Sequence, residues 1–577
     1  MSADGPVRAA PGDGAREAGG RARVPERRRA VALGLVAVTL ALAGVANATI
    51  RPGGRDRALH LASQASPVVV TNGASSSAWY CAGPLPVGTP GEASSIAVTN
   101  VGRSVVTGEV VVSSTTGGSR DVSRLTVPAG QESVVGLTRL GARGVAAVTV
   151  LVNGSGVAVE EIVHGASGIS AAPCVNHADD TAYIAAGSTI GADNLSLAVL
   201  DPGSTPSVVS ISFATSSGIV APPPFQGVTV GAGALAVFDV GHYVPSNPAV
   251  ATIVSATGGR VVAGAAITAV VGHAVMSSLV GDVAAPAASW LFPAAPSGPT
   301  SASTFAVLDP SDRPATVKLA VVSSTTRSEL SAVVPAHGVV HLVPGADTAP
   351  GALRWATVTS TGPGVVVARE TVLTATPVTA ASRRAAEKRA AARRAAAAKA
   401  AAAARRAAAK VVASSRGGHA SAHARVAPTT TVPPVTSTTV VPYAVVSSFP
   451  SLQPGVAVSS GVARAGRTWV LPGGESDANT SEVVVVDNTS ARAATVDVAQ
   501  LDAAGSGPLG SSPFASMPPL TVPAGAILTV DMAAVVGEQP GLPLLVSTSE
   551  PVVVGQLLYG RAASGTGFTL PAAISVR

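Results

Sequence analysis

The chain has 577 residues, of which 47% are apolar, only 3% are aromatic and only 12% are charged. This length exceeds that of one ordinary domain, and the abundance of Val, Thr, Gly and Pro favours short strands joined by turns. The formal net charge of +6 arises from two local segments rich in Lys and Arg, which argues against a general nucleic-acid-binding surface.

Residues 1–29 form a basic leader that ends in three consecutive arginines. The apolar run that follows, residues 30–50, has about the length needed to cross the hydrocarbon core of a bilayer. Because arginines remain on the cytoplasmic side, we expect a cytoplasmic leader, a single-pass transmembrane helix in the cell membrane and an extracytoplasmic remainder. The small residues of Ala46-Asn47-Ala48 allow an alternative, in which the apolar run is a signal peptide and the product is secreted.

Beyond a linker at 51–78, one turn-and-strand pattern recurs four times. The turns share a Val-Pro-Ala or related sequence and lie at Leu125–Gly130, Val228–Gly233, Val333–Gly338 and Leu520–Gly525. Apolar–polar alternation and tight hairpins predict six or seven mostly antiparallel strands per copy, which is typical of immunoglobulin- or fibronectin-like β-sandwiches. A four-bladed propeller is the alternative, but a blade has only four strands and about half this length. We therefore expect an all-β chain with tandem β-sandwiches at 79–178, 179–289, 290–378 and 441–577.

The segment 379–413 consists of Ala, Arg and Lys, and it predicts a helix of about thirty residues. Its basic residues are spread around the whole helix, so it lacks an apolar stripe that would pack on a core. A Pro/Thr-rich linker, predicted to be disordered, follows at 414–440. The helix is either a spacer before the fourth copy or a site for anionic polymers. The candidate binding residues are Arg383, Arg384, Lys388, Arg389, Arg393, Arg394, Lys399, Arg405, Arg406 and Lys410.

The two cysteines, Cys81 and Cys174, bracket the first copy. An even number of cysteines in an exported chain predicts a disulfide. Closing a loop of this length stabilises a fold by about 4–5 kcal/mol if the effect is taken as chain entropy alone.

Motifs for catalysis, cofactors or metals are not found in the sequence. His337 and His341 flank a turn and a strand without a third ligand, so surface histidines are expected there instead of a zinc site. Asp201 and Asp309 stand in matching Asp-Pro sequences, where side-chain capping of a turn explains them better than calcium binding. We therefore predict that the protein is not an enzyme and holds no cofactor or metal.

The apolar N-terminal run, the opening Trp79-Tyr80-Cys81 and the order of the β-rich copies resemble an uncharacterised family of membrane-anchored, secreted actinobacterial envelope proteins. The resemblance covers about residues 30–377 and 469–577. It implies an extracytoplasmic location and no known activity, so it assigns no functional residues. The Ala/Arg-rich segment departs from the pattern of the family.

The function expected from the sequence is that of a non-enzymatic scaffold or interaction protein of the bacterial cell envelope, built as a rod of β-sandwiches. Its partners would be the membrane and cell-wall polymers or other envelope proteins, with nucleic acid not expected. One alternative is a glycan-binding protein, although three of its four tryptophans recur at domain openings, where core packing explains them. The other is an enzyme, which a cluster of carboxylates with shifted pKa values would favour.

Overall fold

The computed structural model describes residues 65–71, 75–116, 121–165, 168–272, 274–323, 326–345, 352–374, 436–440, 453–503, 519–536, 538–539, 541–560 and 567–577. These residues belong to one compact unit, Ala62–Arg577, and they are almost entirely strands and turns, so the fold is all-β. Within the described ranges, no helix has the length and apolar character needed to span a bilayer. The predicted membrane segment at 30–50 and the predicted helix at 379–413 lie outside the described residues.

After a short strand β1 (Val68–Val69), the chain forms two facing sheets, which we call sheet pair 1. Its strands are β2 (Ser77–Val87), β3 (Ala93–Asn100), β4 (Val106–Thr116), β5 (Asp121–Val127), β6 (Gln131–Gly136), β7 (Arg143–Asn153), β8 (Val157–Gly165) and β9 (Gly168–Pro173), with a 3₁₀ turn at Leu137–Leu140. One sheet has the order β2-β7-β4-β5 and the other β6-β3-β8-β9. Alternate residues such as Ile96 and Val98 on β3 join Val148 and Val150 on β7 in one buried cluster.

Sheet pair 2 has the same order of strands. Its elements are β10 (Thr181–Ile184), β11 (Asn194–Leu200), β12 (Ser207–Thr215), β13 (Gly218–Val220), a 3₁₀ turn (Pro223–Phe225), β14 (Val228–Val230), β15 (Leu235–Asp239), α1 (Val240–Tyr243), β16 (Val250–Thr257), β17 (Val262–Val271) and β18 (Ala274–Gly281). Its sheets are β10-β16-β12-β13, with β14 also on β12, and β15-β11-β17-β18.

Sheet pair 3 is completed by a strand that lies after the Ala/Arg-rich segment. Its strands are β19 (Ser289–Ser297), β20 (Ser301–Asp309), β21 (Ala315–Ser323), β22 (Thr326–Val334), β23 (Gly338–Leu342), β24 (Ala352–Thr361), β25 (Val366–Leu373), β26 (Thr436–Val440) and β27 (Gly455–Ser460). The sheets are β19-β24-β21-β22-β26 and β23-β20-β25-β27. Because β27 pairs with β25, the boundaries predicted at 290–378 and 441–577 divide one sheet between two domains.

Sheet pair 4 has its two sheets joined by one long strand. Its elements are β28 (Gly466–Leu471), β29 (Thr480–Asp487), β30 (Ala494–Gln500), β31 (Asp502–Ala503), β32 (Leu520–Val522), β33 (Ile527–Asp531), α2 (Met532–Val536), β34 (Leu544–Gly560), β35 (Phe568–Thr569) and β36 (Ile574–Val576). The first half of β34 pairs with β28 and β30, and the second half pairs with β29. The single strand β34 thus belongs to both sheets of this pair, whereas two separate strands fill these positions in the other pairs.

The predicted turns follow β5, β14, β22 and β32, and each needs a residue with positive φ. Gly130, Gly233 and Gly525 have φ of 68°, 67° and 69° at this position, where glycine carries no steric penalty. In sheet pair 3 the position is filled by His337, with φ 51°.

The final strands of the four pairs, β9, β18, β27 and β35, contact one another in a closed cycle. Three contacts use a side-chain hydroxyl that accepts a backbone N–H: Ser170 from Leu279 (2.6 Å), Ser278 from Val458 (2.8 Å) and Thr569 from Ala171 (3.2 Å). Strands β9, β18 and β27, together with residues 65–67 and 571–573, line a cavity of about 50 Å³, which is room for a few waters. The linear rod expected from the sequence is therefore wrong for the described residues.

The cycle is closed by residues from the two ends of the described chain. β1 pairs with β36 in parallel, with Val68 opposite Ser575, and Arg577 donates its N–H to the carbonyl of Val69 (2.8 Å). β31 of sheet pair 4 also adds in parallel to β6 of sheet pair 1. Sheet pairs 1 and 4 are thus joined by backbone hydrogen bonds as well as by side chains.

Candidate functional site

The structure places some of the predicted functional residues and leaves others outside its range. Cys81 and Cys174 form the predicted disulfide, which joins β2 to the residue that follows β9. The ten basic residues between 383 and 410 lie outside the described residues. His337 contacts Asp312 (Nε2–Oδ1, 2.7 Å), and Asp312 is exposed, as expected for a surface pair.

Three buried glutamates lie where sheet pair 1 meets sheet pair 4, and we call them the interface carboxylates. Glu132 lies on β6, Glu160 on β8 and Glu482 on β29, and their side chains are only 2%, 1% and 0% exposed. Gly473 of sheet pair 4 donates its N–H to Glu132 Oε2 across the junction (2.9 Å). Gly473 also lies beside Glu160 Oε2, so the carboxyls of Glu132 and Glu160 point into the contact between the pairs.

The interface carboxylates have fewer donors than oxygen atoms. Thr99 donates its hydroxyl to Glu132 Oε2 (2.6 Å), and Gln556 donates its amide to Glu482 Oε1 (3.0 Å). Glu132 Oε1, Glu160 Oε2 and Glu482 Oε2 have no hydrogen-bond partner among the described residues. A buried charge without a partner is strongly unfavourable, so these groups are expected to be neutral when the pairs are in contact.

The pKa values agree with this expectation. Burial raises the pKa of Glu132 to about 7. Burial, followed by the charges of Glu132, Glu482 and Glu161, raises the pKa of Glu160 well above its usual range. Burial, together with the charges of Glu132 and Glu475, also raises the pKa of Glu482 well above its usual range. The junction therefore holds protons at pH values where exposed glutamates have lost them.

Glu161 lies on the opposite side of β8 from Glu160, because successive strand residues point to opposite faces. Its carboxylate lies within 4.8 Å of the sulfur atoms of Cys81 and Cys174, and it accepts the N–H of Gly83 (3.1 Å). Burial raises its pKa to about 8. Since both sulfurs are engaged in the disulfide, this group is not a metal site in the oxidised protein.

A second charged junction joins sheet pairs 3 and 4. Asp487 accepts the N–H of Ala294 through Oδ2 (2.7 Å), while the guanidinium of Arg369 donates to the carbonyl of Pro293 and lies 5.6 Å from the ring centre of Phe292. Burial raises the pKa of Asp487 to about 8 and lowers that of Arg369 to about 10. Asp487 from β29 and Arg369 from β25 thus both hydrogen-bond to the backbone of β19, so they act in assembly of the fold.

An imidazole and two carboxylates lie beside the central cavity. His177 Nδ1 is 3.0 Å from Asp179 Oδ2, and Asp282 lines the cavity. Burial raises the pKa of Asp282 to about 6, with the charge of His177 opposing. The pKa of His177 is raised by its contact with Asp179 and by Asp282, against the effect of burial. The cavity is too small for an organic substrate, so this group does not form a substrate site.

A surface groove of about 700 Å³ crosses the outer face of the sheet β2-β7-β4-β5. Glu109 on β4 lies opposite Arg124 on β5, and Leu151 is 38% exposed nearby. Hydroxyl and amide groups complete the lining, at Ser76, Ser77, Thr107, Thr126 and Asn153. The groove is open to solvent and carries both hydrogen-bonding groups and side chains of opposite charge.

The tryptophans that could stack on a sugar ring do not line this groove. Trp79, Trp290 and Trp469 are 1%, 0% and 0% exposed and lie on the first strands of sheet pairs 1, 3 and 4. All three are therefore core residues, as predicted from their recurrence at domain openings.

Sequence reasoning missed the interface carboxylates, although one signal was present. Glu160 and Glu161 stand together in the apolar run Val157–Val163, where a surface strand would alternate polar with apolar residues. Two adjacent glutamates in such a run indicate that both faces of the strand are covered. The partner on sheet pair 4 could not be inferred, because the contact spans more than 300 residues.

Comparison with known proteins gives a family without an assigned function. Residues 164–445 match a family of unknown function (DUF5719). This range covers just under half of the chain and runs from the end of β8 through sheet pair 2 and most of sheet pair 3. No curated protein sequence matches the chain.

Solved structures give only distant likenesses. An α-L-rhamnosidase of Streptomyces avermitilis complexed with L-rhamnose is 9% identical, with a TM-score of 0.13, over 52% of this chain and 44% of that one. A Salmonella α-2-macroglobulin reacted with methylamine is 10% identical, with a TM-score of 0.11, over 88% of this chain and 40% of that one. The chain thus spans less than half the length of either protein, and likenesses this weak carry no functional argument.

Proposed function

We propose that this protein is a non-enzymatic scaffold of the bacterial cell envelope that displays its basic segment, residues 379–413, to anionic polymers. The observation that carries the proposal is the pairing of Leu373 on β25 with Gly455 on β27. The intervening chain leaves sheet pair 3 after β25 and returns to the same pair, first through β26 at the edge of β22 and then through β27 beside β25. A spacer would have to separate sheet pairs 3 and 4, whereas this segment is inserted within sheet pair 3, so the interaction role is the better supported of the two.

The composition of the displayed segment supports electrostatic binding. It has ten Lys and Arg residues against the single acid Glu387. Such a charge density attracts polyanions regardless of their sequence or stereochemistry, and the attraction weakens as salt screens it. Anionic wall polymers and phospholipid headgroups are the partners that fit an envelope location.

The buried ionisable groups support a structural role instead of catalysis. The interface carboxylates are at most 2% exposed, so a substrate reaches them only if sheet pairs 1 and 4 separate. Catalytic acids and bases with shifted pKa values lie in clefts open to substrate. We therefore retain the non-enzymatic function as the proposal.

An extracytoplasmic location is supported by the disulfide between Cys81 and Cys174, since such bonds persist mainly in oxidising compartments. The arginine-flanked apolar run at 30–50 supports export and a single-pass anchor, with a cleaved signal peptide as the alternative. Immunoglobulin- or fibronectin-like ancestry of the four sheet pairs stays a proposal that rests on strand number and pattern.

Glycan binding is the second candidate, and the groove on sheet pair 1 is the observation that favours it. Its hydroxyl and amide groups suit sugar hydroxyls. Stacking by aromatic residues, which contributes strongly to many sugar sites, is not offered by the three buried tryptophans.

The proposed function is tested by binding of the full-length chain to inorganic polyphosphate and to phosphatidylglycerol vesicles over a salt series. A length-matched variant has all ten basic residues of 383–410 changed to Gln. We expect it to keep its fold and to lose at least tenfold in affinity, and we expect wild-type affinity to fall steeply with salt. Equal binding by the wild-type chain and this variant would overturn the proposal.

The glycan alternative is tested separately with purified cell-wall glycan and the variant Glu109→Ala/Arg124→Ala. The matched control is Arg327→Ala/Glu329→Ala, an exposed charge pair on the corresponding sheet of sheet pair 3. Salt-insensitive binding that only the groove variant loses would replace the scaffold proposal with glycan recognition.

A further inference from the structure

One buried Asx residue closes the second strand of every sheet pair. The four residues are Asn100, Asp201, Asp309 and Asn488, and each is 0% exposed. In every case Oδ1 accepts the backbone N–H two residues further along the chain, from Gly102 (2.8 Å), Gly203 (2.7 Å), Ser311 (2.9 Å) and Ser490 (3.0 Å). This is the turn capping predicted for the two Asp-Pro sequences, and it uses only one of the two side-chain heteroatoms.

In sheet pairs 1 and 4, the second heteroatom is an amide nitrogen held among three backbone carbonyls. Asn100 Nδ2 donates to the carbonyls of Ser104 (2.8 Å), Val127 (3.0 Å) and Pro128 (3.1 Å). Asn488 Nδ2 donates to those of Arg492 (2.7 Å), Val522 (2.9 Å) and Pro523 (3.0 Å). The three carbonyls come from the same places in both pairs: one lies four residues after the Asn, and the other two belong to the last residue of β5 or β32 and to the proline that follows it.

The loop of sheet pair 3 has the same internal hydrogen bonds as that of sheet pair 4. Ser311 Oγ donates to the carbonyl of Arg313 (2.8 Å) and accepts its N–H (3.3 Å). Ser490 makes the same two bonds to Arg492, at 2.9 and 3.3 Å. With the loops alike and Oδ1 in the same role, Asp309 Oδ2 takes the place of the amide nitrogen and faces the corresponding carbonyls.

A carboxylate oxygen in this place has no hydrogen to donate. Asp201 Oδ2 and Asp309 Oδ2 are buried and have no hydrogen-bond partner among the described residues. The corresponding carbonyls are those of Thr205, Val230 and Gly231 for Asp201, and those of Arg313, Val334 and Pro335 for Asp309. A carboxylate oxygen among carbonyl oxygens is repelled by all of them unless a cation, either a proton or a metal ion, lies between.

We propose that Asp201 and Asp309 each bind a calcium ion through Oδ2 together with the backbone carbonyls that surround it. One carboxylate and several neutral carbonyls are hard oxygen ligands of the kind that Ca²⁺ takes, with flexible geometry and six to eight oxygens. Residues 203–206 beside Asp201 are exposed, so water completes the coordination there. A single negative charge per site suits the weak affinities of extracellular calcium modules, with Kd of about 10⁻⁴–10⁻³ M.

The Asn residues at the corresponding positions of sheet pairs 1 and 4 indicate which substitutions test this proposal. The full-length protein, freed of metal with a chelator, is titrated with Ca²⁺ by equilibrium dialysis, and its thermal midpoint is measured with and without Ca²⁺. We expect two ions per wild-type chain, one for Asp201→Asn or Asp309→Asn, and none for the double variant. The Asn side chains should preserve the fold, since Asn occupies the same place in sheet pairs 1 and 4. Asp312→Asn, on the exposed side of the same loop, is the control and should retain both ions.

A reciprocal variant tests whether the surrounding carbonyls form a calcium site once a carboxylate is placed among them. Asn488→Asp places a carboxylate in the cage of sheet pair 4, and a folded variant should bind a third ion. The proposal is overturned if wild-type protein binds no calcium, if the double Asn variant binds as wild type does, or if folded Asn488→Asp gains no ion. Stabilisation of Asp201→Asn and Asp309→Asn without any calcium response in wild type would likewise count against it.

Discussion

The hydroxyl of Ser278 on β18 accepts a hydrogen bond from the backbone amide of Val458 on β27, at 2.8 Å, and so joins sheet pair 2 to sheet pair 3. The same link recurs from Ser170 to Leu279 and from Thr569 to Ala171. The corresponding position on β27 is occupied by Ala457, which has no hydroxyl and cannot make a fourth link of this kind. The cycle of final strands thus has three such links of a potential four.

These links predict opposite effects for two substitutions. Ser278→Ala leaves the buried amide of Val458 without a partner, and we expect a loss of about 1–3 kcal/mol in the free energy of unfolding. Ala457→Ser offers a hydroxyl to the amide of Leu570, and we expect a gain of about 0.5–1.5 kcal/mol. Urea unfolding measures both, with the exposed Ser331→Ala as the control. Destabilisation by Ala457→Ser would show that β27 and β35 leave no room for the oxygen.

The interface carboxylates predict that stability falls as pH rises. Their pKa values are raised in the folded state, so the folded protein binds more protons than the unfolded chain above the usual pKa of 4.5. The stability that these groups contribute is therefore fully present below about pH 4.5 and is lost for Glu132 as pH rises through about 7. Glu161, the buried carboxyl beside the disulfide, adds a loss of the same sign as pH rises through about 8. Urea midpoints at pH 5, 6, 7 and 8 and constant ionic strength measure this slope.

A neutral isostere separates the contribution of Glu160 from those of the other acids. Glu160→Gln cannot ionise, so we expect a smaller loss of stability between pH 5 and 8 and a higher urea midpoint at pH 8. Glu109→Gln, on the solvent-exposed groove, is the matched control and should leave the slope unchanged. A wild-type slope in Glu160→Gln would mean that this carboxyl does not take part.

The turn of sheet pair 3 predicts a stabilising substitution. His337 has φ 51°, where the three corresponding turns have glycine. His337→Gly removes the strain of a side chain in the left-handed region, and we expect a gain of about 0.5–1 kcal/mol. Its contact with Asp312 is exposed and should offset little of this. Gly130→Ala is the reverse change in sheet pair 1, and thermal unfolding should show a lower midpoint for it.

The disulfide predicts that replacing its two cysteines lowers the stability of the protein relative to the oxidised wild type but not relative to the reduced wild type. Replacing Cys81 and Cys174 with Ala removes a link between residues 93 apart, and we expect a loss of about 2–5 kcal/mol. Addition of a dithiol reductant should bring wild-type protein to the stability of this variant and leave the variant unchanged. A reductant effect on the variant would point to a cause other than the bond.

Local patterns in the sequence predicted the strands well. Alternation along β3 and β7 and the Gly-containing turns act between neighbouring residues, so they can be read without the fold. The all-β class, the disulfide and the burial of Trp79, Trp290 and Trp469 follow from such patterns. An immunoglobulin- or fibronectin-like origin stays a prediction, because strand number alone does not define it.

Long-range pairing was not predictable in the same way. β27 belongs to sheet pair 3 although it follows the Ala/Arg-rich segment, and its short apolar run, Gly455–Ser460, carries no mark of its partner. The closed cycle depends on contacts between final strands that look alike in sequence. The unpartnered oxygens of Asp201 and Asp309 also depend on long-range packing, because the carbonyls around the corresponding Asn amides come from strands distant in sequence.

The pairing of β1 with β36 changes how the fold must come apart. In a linear array, an end domain detaches when one interface breaks, so unfolding proceeds piece by piece from the ends. Here every sheet pair has two neighbours, and removing any one of them breaks two interfaces. Heat absorption by the four sheet pairs should therefore concentrate in one cooperative transition, and a protease acting on the folded state should not remove one sheet pair before the others.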